Sequence, residues 1–438
     1  MIARVALLSL CTLVIAAPPA GAATARVSAP LASLDLSDPL IAQEWWRAAV
    51  HIDALTPPGP GVPVSIVDSG VSFQHPEFVG DTNIVALNNQ EPAPIGGVHG
   101  TAVASVIAAP VNGVGLVGIY PTAVVRSFDA SLGDGTRLPA SDIVAGILAA
   151  AHAGRSVINL SLGSNLDDPD IDAAIAEAVR LGSLVVAASG NSGDEGSPPS
   201  YPAVNAHVLT VGATDQSDQP ASFSSRSPFV DLAAPGVDIP VATALDNSFA
   251  QESGTSFASP IVAGAAAWLW TVRPDLDASQ VAEVLRRSAR DVFTPGYDTA
   301  TGYGILDLAA ALTAPTPLRD SAEPNDDAAT AATVTTRTRV SGRTSGRVAA
   351  YEDPRDVLRV WLPAKKRLVV SSTSTSGVSL ALYQGGIASS DRLATSTRMG
   401  VTTSLSYTNR KAGRTAYLVV TPARGVRSAE YTTSLAAK

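Results

Sequence analysis

The sequence predicts an α/β protein built on a mostly parallel sheet with helices on both faces, followed by a small C-terminal β-sandwich. Three observations predict it. Between Gly61 and Leu312, short β-branched apolar runs alternate with helical patterns. Those runs are apolar nearly throughout, as expected of strands covered on both faces. After Leu312 long helical patterns cease, and short alternating runs separated by turn residues take over.

The elements follow in order. Arg4 precedes an apolar run, Val5 to Ala17, and then Pro18-Pro19-Ala20-Gly21-Ala22. A basic start, a short apolar stretch and A-x-A spacing predict an export signal over residues 1–25, cleaved after Ala22 or Ala25. The run is too short to span a bilayer, which needs roughly 20 residues. Strands are predicted at Val62–Val67, Val124–Phe128, Val157–Leu160, Leu184–Ala187 and Val208–Val211. Helices are predicted at Ser141–Ala153 and Asp170–Leu181. The second has Asp168 as N-cap, Pro169 at its first position and Gly182 past its end. The 16-residue apolar stretch Phe257–Val272 reads as a buried helix, so no membrane span is expected. Residues 26–315, the span of the alternating pattern with its flanks, form the expected α/β domain. Residues 316–333, rich in Ala, Thr, Pro and Asp, read as a linker, and residues 334–438 as the β-sandwich.

Composition bounds the function. The 438 residues carry 30 Lys+Arg against 39 Asp+Glu, and 46 % are hydrophobic. That apolar fraction excludes a disordered chain. The single cysteine, Cys11, lies in the export signal and excludes an intramolecular disulfide framework. The net charge of −9 is an average of unlike parts: residues 26–315 hold 11 basic against 30 acidic residues, and residues 316–438 hold 18 against 9. An acidic body argues against nucleic acid as the partner. The basic region suits contact with that body or with an anionic cell wall.

Three segments carry side chains suited to chemistry. Asp68 closes an apolar strand before Ser69-Gly70. His99 opens a helix of small residues, His99-Gly100-Thr101-Ala102. Ser256 begins the most apolar helix, in Gly254-Thr255-Ser256-Phe257-Ala258-Ser259-Pro260. A serine hydroxyl is a weak nucleophile at neutral pH. It needs a neutral imidazole to take its proton, and the imidazole needs a carboxylate to fix its tautomer. Asp…His…Ser is one of the chain orders in which this arrangement is built. Asn191, in Ala187-Ala188-Ser189-Gly190-Asn191 at a strand end, can donate to the oxyanion of a tetrahedral intermediate.

On these motifs the chain resembles the subtilisin family of serine proteases. The segments Ile158–Gly163, Val230–Gly236 and Gly302-Tyr303-Gly304 resemble it too, and the likeness covers roughly residues 36–313. The resemblance implies a secreted endopeptidase acting on polypeptides. Ser256 would be the nucleophile, His99 the base and Asp68 its orienting acid, with Asn191 and the Ser256 N–H as oxyanion hole. Ser161-Leu162-Gly163 and, opposite, Gly135 would be the edges that pair with substrate. The related sedolisins lack the His-Gly-Thr motif. Ala102 stands where many relatives have a second histidine. Ser37–Gln43 reads as the start of the catalytic domain, so no folded inhibitory propeptide is expected before it.

The family often binds a structural Ca²⁺ in a loop after the histidine helix. Pro110–Leu116 matches that loop, implying Asn112, Glu77 and Gln43 as side-chain ligands and the carbonyls of Pro110, Val114 and Leu116 beside them. No cofactor is implied for catalysis, and a monomer is expected. The C-terminal region, with Glu323-Pro324-Asn325-Asp326, loosely resembles the pre-peptidase C-terminal β-sandwich of secreted bacterial proteases. His51, His75, His152 and His207 read as structural or solvent-facing, and Trp45 and Trp46 as packing residues.

Overall fold

A computed structural model describes residues 38–438 except 82, 90–97, 132–136, 245, 321–322 and 397–399. The export signal lies outside the described residues. The catalytic body contains α1 (Trp46–Ala49), β1 (Val64–Asp68), β2 (Ile84–Ala86), α2 (Val98–Ala108), β3 (Val125–Asp129), α3 (Ala140–His152), β4 (Val157–Leu160), α4 (Pro169–Arg180), β5 (Leu184–Ala188), β6 (Val208–Thr214), β7 (Leu232–Pro235), β8 (Ile239–Thr243), β9 (Ser248–Glu252), α5 (Thr255–Val272), α6 (Ala278–Ser288) and α7 (Leu308–Thr313). Seven strands form one parallel sheet in the order β2-β3-β1-β4-β5-β6-β7.

The uninterrupted apolar runs are explained by two cores. Along β1, Val64 and Ile66 pack with α2 and α5 on one face, while Val67 packs with α3 and α4 on the other. The same alternation runs through Leu184 and Val186 against Val185 and Ala187 of β5. Parallel strands end together, so the carboxyl ends of β1, β4 and β5 share one rim of the sheet.

Helix α5 is the axis of this body. Among the described residues it is the one helix long and apolar enough to cross a membrane, but 15 of its 18 residues are buried in the protein, which makes it a core helix. Burial of Ile261, Trp268, Leu269 and Trp270 contributes about 1.5–3 kcal/mol each. Its small residues let neighbours approach closely. A methyl group on Gly264 would lie 2.3 Å from Ile119 Cγ2.

The C-terminal region is built on strands: β10 (Ala332–Thr333), β11 (Ser341–Ala349), β12 (Asp356–Leu362), β13 (Arg367–Tyr383), β14 (Arg392–Thr395), β15 (Gly400–Thr408), β16 (Arg414–Pro422) and β17 (Ser428–Ala437), with a 3-10 turn at Ser389–Asp391. The first half of β13 pairs with β15 and β17, the second with β14 and β16. Gly377, at φ 121°, lies between the halves. Both ladders share one apolar core around Val370, Leu380, Leu418 and Leu435. The segment read as a linker contains buried residues. Asn325 is fully buried, its side-chain oxygen accepting from Val357 N at 2.9 Å, and Asp320 is buried beside it.

This region touches the catalytic body through opposite charges. His207, at the start of β6, bonds Asp326 at 2.6 Å, and Arg347 reaches Glu283 of α6 at 2.9 Å. Arg427 stacks 3.3 Å over the ring of Tyr297.

Gly264→Ala sets two effects against each other. Helix propensity favours alanine by about 1 kcal/mol, while overpacking against Ile119 costs about 1–3 kcal/mol. The expected net outcome, read by denaturant unfolding in a Ser256→Ala background that prevents self-digestion, is a loss of about 1–2 kcal/mol.

Candidate active site

Asp68 sits at the carboxyl end of β1, buried to 1 % exposure. Its Oδ1 accepts from Ser69 N at 2.7 Å and from His99 Nδ1 at 2.9 Å; Oδ2 lies 3.0 Å from the same nitrogen. The imidazole can come this close because the next residue is glycine. A Cβ at position 100 would lie 2.2 Å from the carbonyl oxygen of Gly70. Ser69 Oγ then accepts from Gly100 N at 3.1 Å, tying the strand end to the first turn of α2.

Burial works against the imidazolium form of His99. The Asp68 charge and hydrogen bond, with Glu252 further off, outweigh it and raise the pKa above 6.5. The ring is 38 % exposed on its side-chain surface, so Nε2 remains reachable. It packs against Phe257, centroids 5.8 Å apart, which brings it beside Ser256.

Ser256 lies in the first turn of α5. Its hydroxyl donates to the Ser161 carbonyl at 3.3 Å, so this rotamer rests on the neighbouring edge. The backbone here is tied by a second bond. Pro260 has no N–H, which leaves the Ser256 carbonyl without its helical donor. Ser161 Oγ donates to that carbonyl at 2.8 Å. Asn159 Nδ2 donates to Ser161 Oγ at 2.9 Å, and Ser259 Oγ donates to Asn159 Oδ1 at 2.7 Å. Asn159 and Ser259 are fully buried.

Asn191 follows β5. Its Oδ1 accepts from both Thr255 N, at 2.9 Å, and Thr255 Oγ1, at 2.8 Å. With the oxygen held, Nδ2 is left as a donor over Gly254, next to Ser256. A Cβ on Gly254 would stand 3.4 Å from it.

Leu162 and Gly163 continue β4 past its end, and their backbone groups have no partner among the described residues. Ser161, Leu162 and Gly163 form the common wall of two cavities. One, about 460 Å³, reaches His99, Leu138, Ile143 and Tyr201. The other, about 220 Å³, reaches Asn191, Ser200 and Ser256. Gly135 lies outside the described residues.

At the expected calcium loop, Asn112 Nδ2 donates to the Glu77 carbonyl at 3.0 Å, and Glu77 Oε2 accepts from Leu116 N at 3.2 Å. Gln43 is exposed. Asp38 takes the N-terminal side, accepting from Asn112 N at 3.2 Å and Gly113 N at 3.1 Å. Glu77 is fully buried, and its Oε1 has no hydrogen-bond partner among the described residues. Burial, reinforced by the charges of Asp38 and Glu44, pushes its pKa up to about 8.

Sequence reasoning missed Asn159, Ser259 and Asp38. The first two lie in motifs already quoted, but only the fold reveals that they bond each other. Asp38 precedes a proline in an ordinary-looking turn, and nothing local marks it.

The subtilase family profile matches residues 59–304. Subtilisin BL of Lederbergia lenta is 37 % identical over 263 residues, covering 60 % of this chain and 94 % of its own. A minor extracellular protease of Bacillus subtilis is 32 % identical over 277 residues, 63 % of this chain and 41 % of that one. Among solved structures, a psychrophilic protease superposes with a TM-score of 0.52 at 28 % identity, over 60 % of this chain and 96 % of its own. With a family match over more than half its length and a relative matched almost end to end, the chain belongs to the subtilase family of serine peptidases.

Proposed function

We propose that this peptidase is a secreted endopeptidase that cleaves polypeptides through an acyl-enzyme on Ser256. The observation that carries the reading is the Asp68–His99 hydrogen bond, which holds Nδ1, together with the packing of the imidazole on Phe257 in the first turn of α5. An extended substrate pairs with the free backbone of Leu162 and Gly163. Ser256 Oγ turns from the Ser161 carbonyl to His99 Nε2, gives up its proton there and bonds to the substrate carbonyl carbon. The carbonyl π electrons move to oxygen, which Asn191 Nδ2 and the Ser256 N–H stabilise. His99 then returns the proton to the leaving amine as the C–N bond breaks. A water, deprotonated by His99, releases the acid and restores Ser256.

Secretion is supported by the export signal read over residues 1–25 and by the extracellular relative. A monomer with polypeptide substrates and no nucleic-acid partner accords with this reading. For the basic C-terminal region, the Arg347–Glu283 and His207–Asp326 pairs favour the intramolecular role over cell-wall adhesion.

The residues around the 110–116 loop fit a structural Ca²⁺. Buried oxygens, one of them unpartnered, suit a hard cation that takes 6–8 oxygen ligands. Asp38, Glu77 and Asn112 would hold it, with the carbonyls of Pro110, Val114 and Leu116. Its role would be to neutralise buried charge and fix the N-terminal segment.

Asn191→Leu should lower kcat by about 10²–10³ with KM nearly unchanged, because the amide acts on the transition state. Equal kcat in variant and parent would remove Asn191 from the oxyanion hole. The pH profile of kcat/KM should show an acid limb with its midpoint above 6.5, since His99 must be neutral and its pKa is raised. Activity that keeps rising toward pH 4 would refute this base. Calcium at about 100 times its Kd should stabilise the fold by about 2.7 kcal/mol per site. Asp38→Asn should lose the part of that gain due to the loop, checked by melting temperature in Ca²⁺ against chelator.

A further inference from the structure

The charges of the C-terminal region are sorted between its two ends. One end faces the catalytic body. There Arg347 reaches Glu283 at 2.9 Å, and the Glu352 carbonyl accepts from His207 N at 2.8 Å. Strand β12 leaves that end at Asp356 and reaches the other at Leu362, about 20 Å away at the rise of a β-strand. At the far end lie the turns 334–340, 363–366 and 409–413, together with the end of β17. None of these turns contains an acidic residue. Lys365, Lys366, Arg367, Arg410, Lys411 and Lys438 are exposed there, and they include all four lysines of the chain.

The fold holds these like charges together against their repulsion. Asn409, 1 % exposed, ties the two lysine turns to each other. Its N–H donates to the Lys366 carbonyl at 2.9 Å, and its Oδ1 accepts from Lys411 N at 3.2 Å. Its Nδ2 donates to the carbonyls of Leu362, Pro363 and Ala412 at 3.0–3.1 Å. Arg367 and Lys438 exchange backbone bonds at 3.0 and 2.9 Å, which brings the end of β17 to the same place. Arg337 covers the Trp361 ring at 4.8 Å beside them.

The chemistry of the partner follows from what is and is not at this end. Among the described residues, every Lys or Arg that pairs with a carboxylate is an arginine, and the six cations above enter no ion pair. Arginine's planar fork suits carboxylates, whereas lysine meets phosphate as a compact point charge. The exposed large apolar side chains of this region are Leu318 and Val401, and Val401 lies at the opposite end of β15 from Thr408. An apolar anchor for a bilayer is therefore missing from the described turns. Trp361 is covered and Tyr407 half-buried, so neither ring stands free to stack on bases.

We propose that the far end of the C-terminal region, through Lys365, Lys366, Lys411 and Lys438, binds a flexible phosphodiester polymer without bases, of the kind an anionic cell surface presents. The pairs to Glu283 and Asp326 use only the near end, so the region is fastened to the catalytic body and carries this surface at once. The inference rests on secretion and not on the peptidase chemistry, because binding is read in a chain whose Ser256 is replaced.

The test uses the full chain carrying Ser256→Ala, with poly(glycerol phosphate) as the probe. The parent should bind it with log K falling linearly against log salt. Lys365→Gln, Lys366→Gln and Lys411→Gln together should weaken binding about tenfold or more at low salt, and flatten the slope by about 0.7 per lysine engaged. Arg226→Gln, Arg392→Gln and Arg424→Gln remove as much charge from exposed positions elsewhere and should leave affinity within about threefold. Hyaluronate, a carboxylate polymer, and duplex DNA should bind more weakly than the probe. If the triple lysine variant does not fold, Arg410→Gln with Lys438→Gln decides by the same readings. No binding by the parent, equal loss in the two sets of variants, or hyaluronate or DNA bound as tightly as the probe would overturn the proposal.

Discussion

The carbonyl of Ser256 has no helical donor, because residue 260 is a proline, and the hydroxyl of Ser161 supplies one at 2.8 Å. That bond joins the backbone of Ser256 to the strand extension beside it. Behind it, Asn159 and Ser259 close the chain of donors back onto α5. The network is fully buried at Asn159 and Ser259, so each lost bond would strand a polar group in the core at about 1–3 kcal/mol. The proposed substrate edge and the proposed nucleophile are therefore positioned by one rigid unit. Asn191 joins the same unit from the other side, through Thr255.

The Asp68–His99 pair shows how stability and activity divide over pH. A histidine pKa raised in the folded state stabilises the fold fully below the unfolded value near 6.5. That contribution fades as pH rises through the folded pKa. The proposed reaction needs the opposite protonation state. The pair therefore gives up its own stabilising contribution in the range where it works, and the site must be held by other bonds. The apolar cores on both faces of the sheet and the network around Ser161 supply them.

The residues grouped around the Asp68–His99 bond and the first turn of α5 were legible because their signals are local. A strand ending in Asp68, a small-residue helix opening on His99 and the Gly-Thr-Ser segment each declare themselves within a few residues. Strand alternation placed them at one rim. What stayed hidden depends on contacts between distant residues. The resemblance implied Gln43 as a calcium ligand, but no local signal marked Asp38, whose carboxylate accepts from the backbone of the 110–116 loop. The segment 316–333 has linker composition, yet Asn325 and Asp320 are buried because β11 and β12 fold back onto them. His207 was read as structural or solvent-facing. It is structural in a way no spacing could show, since its partner Asp326 lies 119 residues away.

Buried carboxylates in this chain are compensated in distinct ways, and the differences follow from what surrounds them. Asp68 has an imidazole, and Asp231 has the guanidinium of Arg286 at 2.7 Å. Glu77 and the group around Asp353 have unpartnered oxygens and acidic neighbours. A chain whose only cysteine is Cys11 has no disulfide to draw on for cross-linking. A divalent cation at the 110–116 loop would do comparable work by another route, pinning the N-terminal segment to the loop after α2.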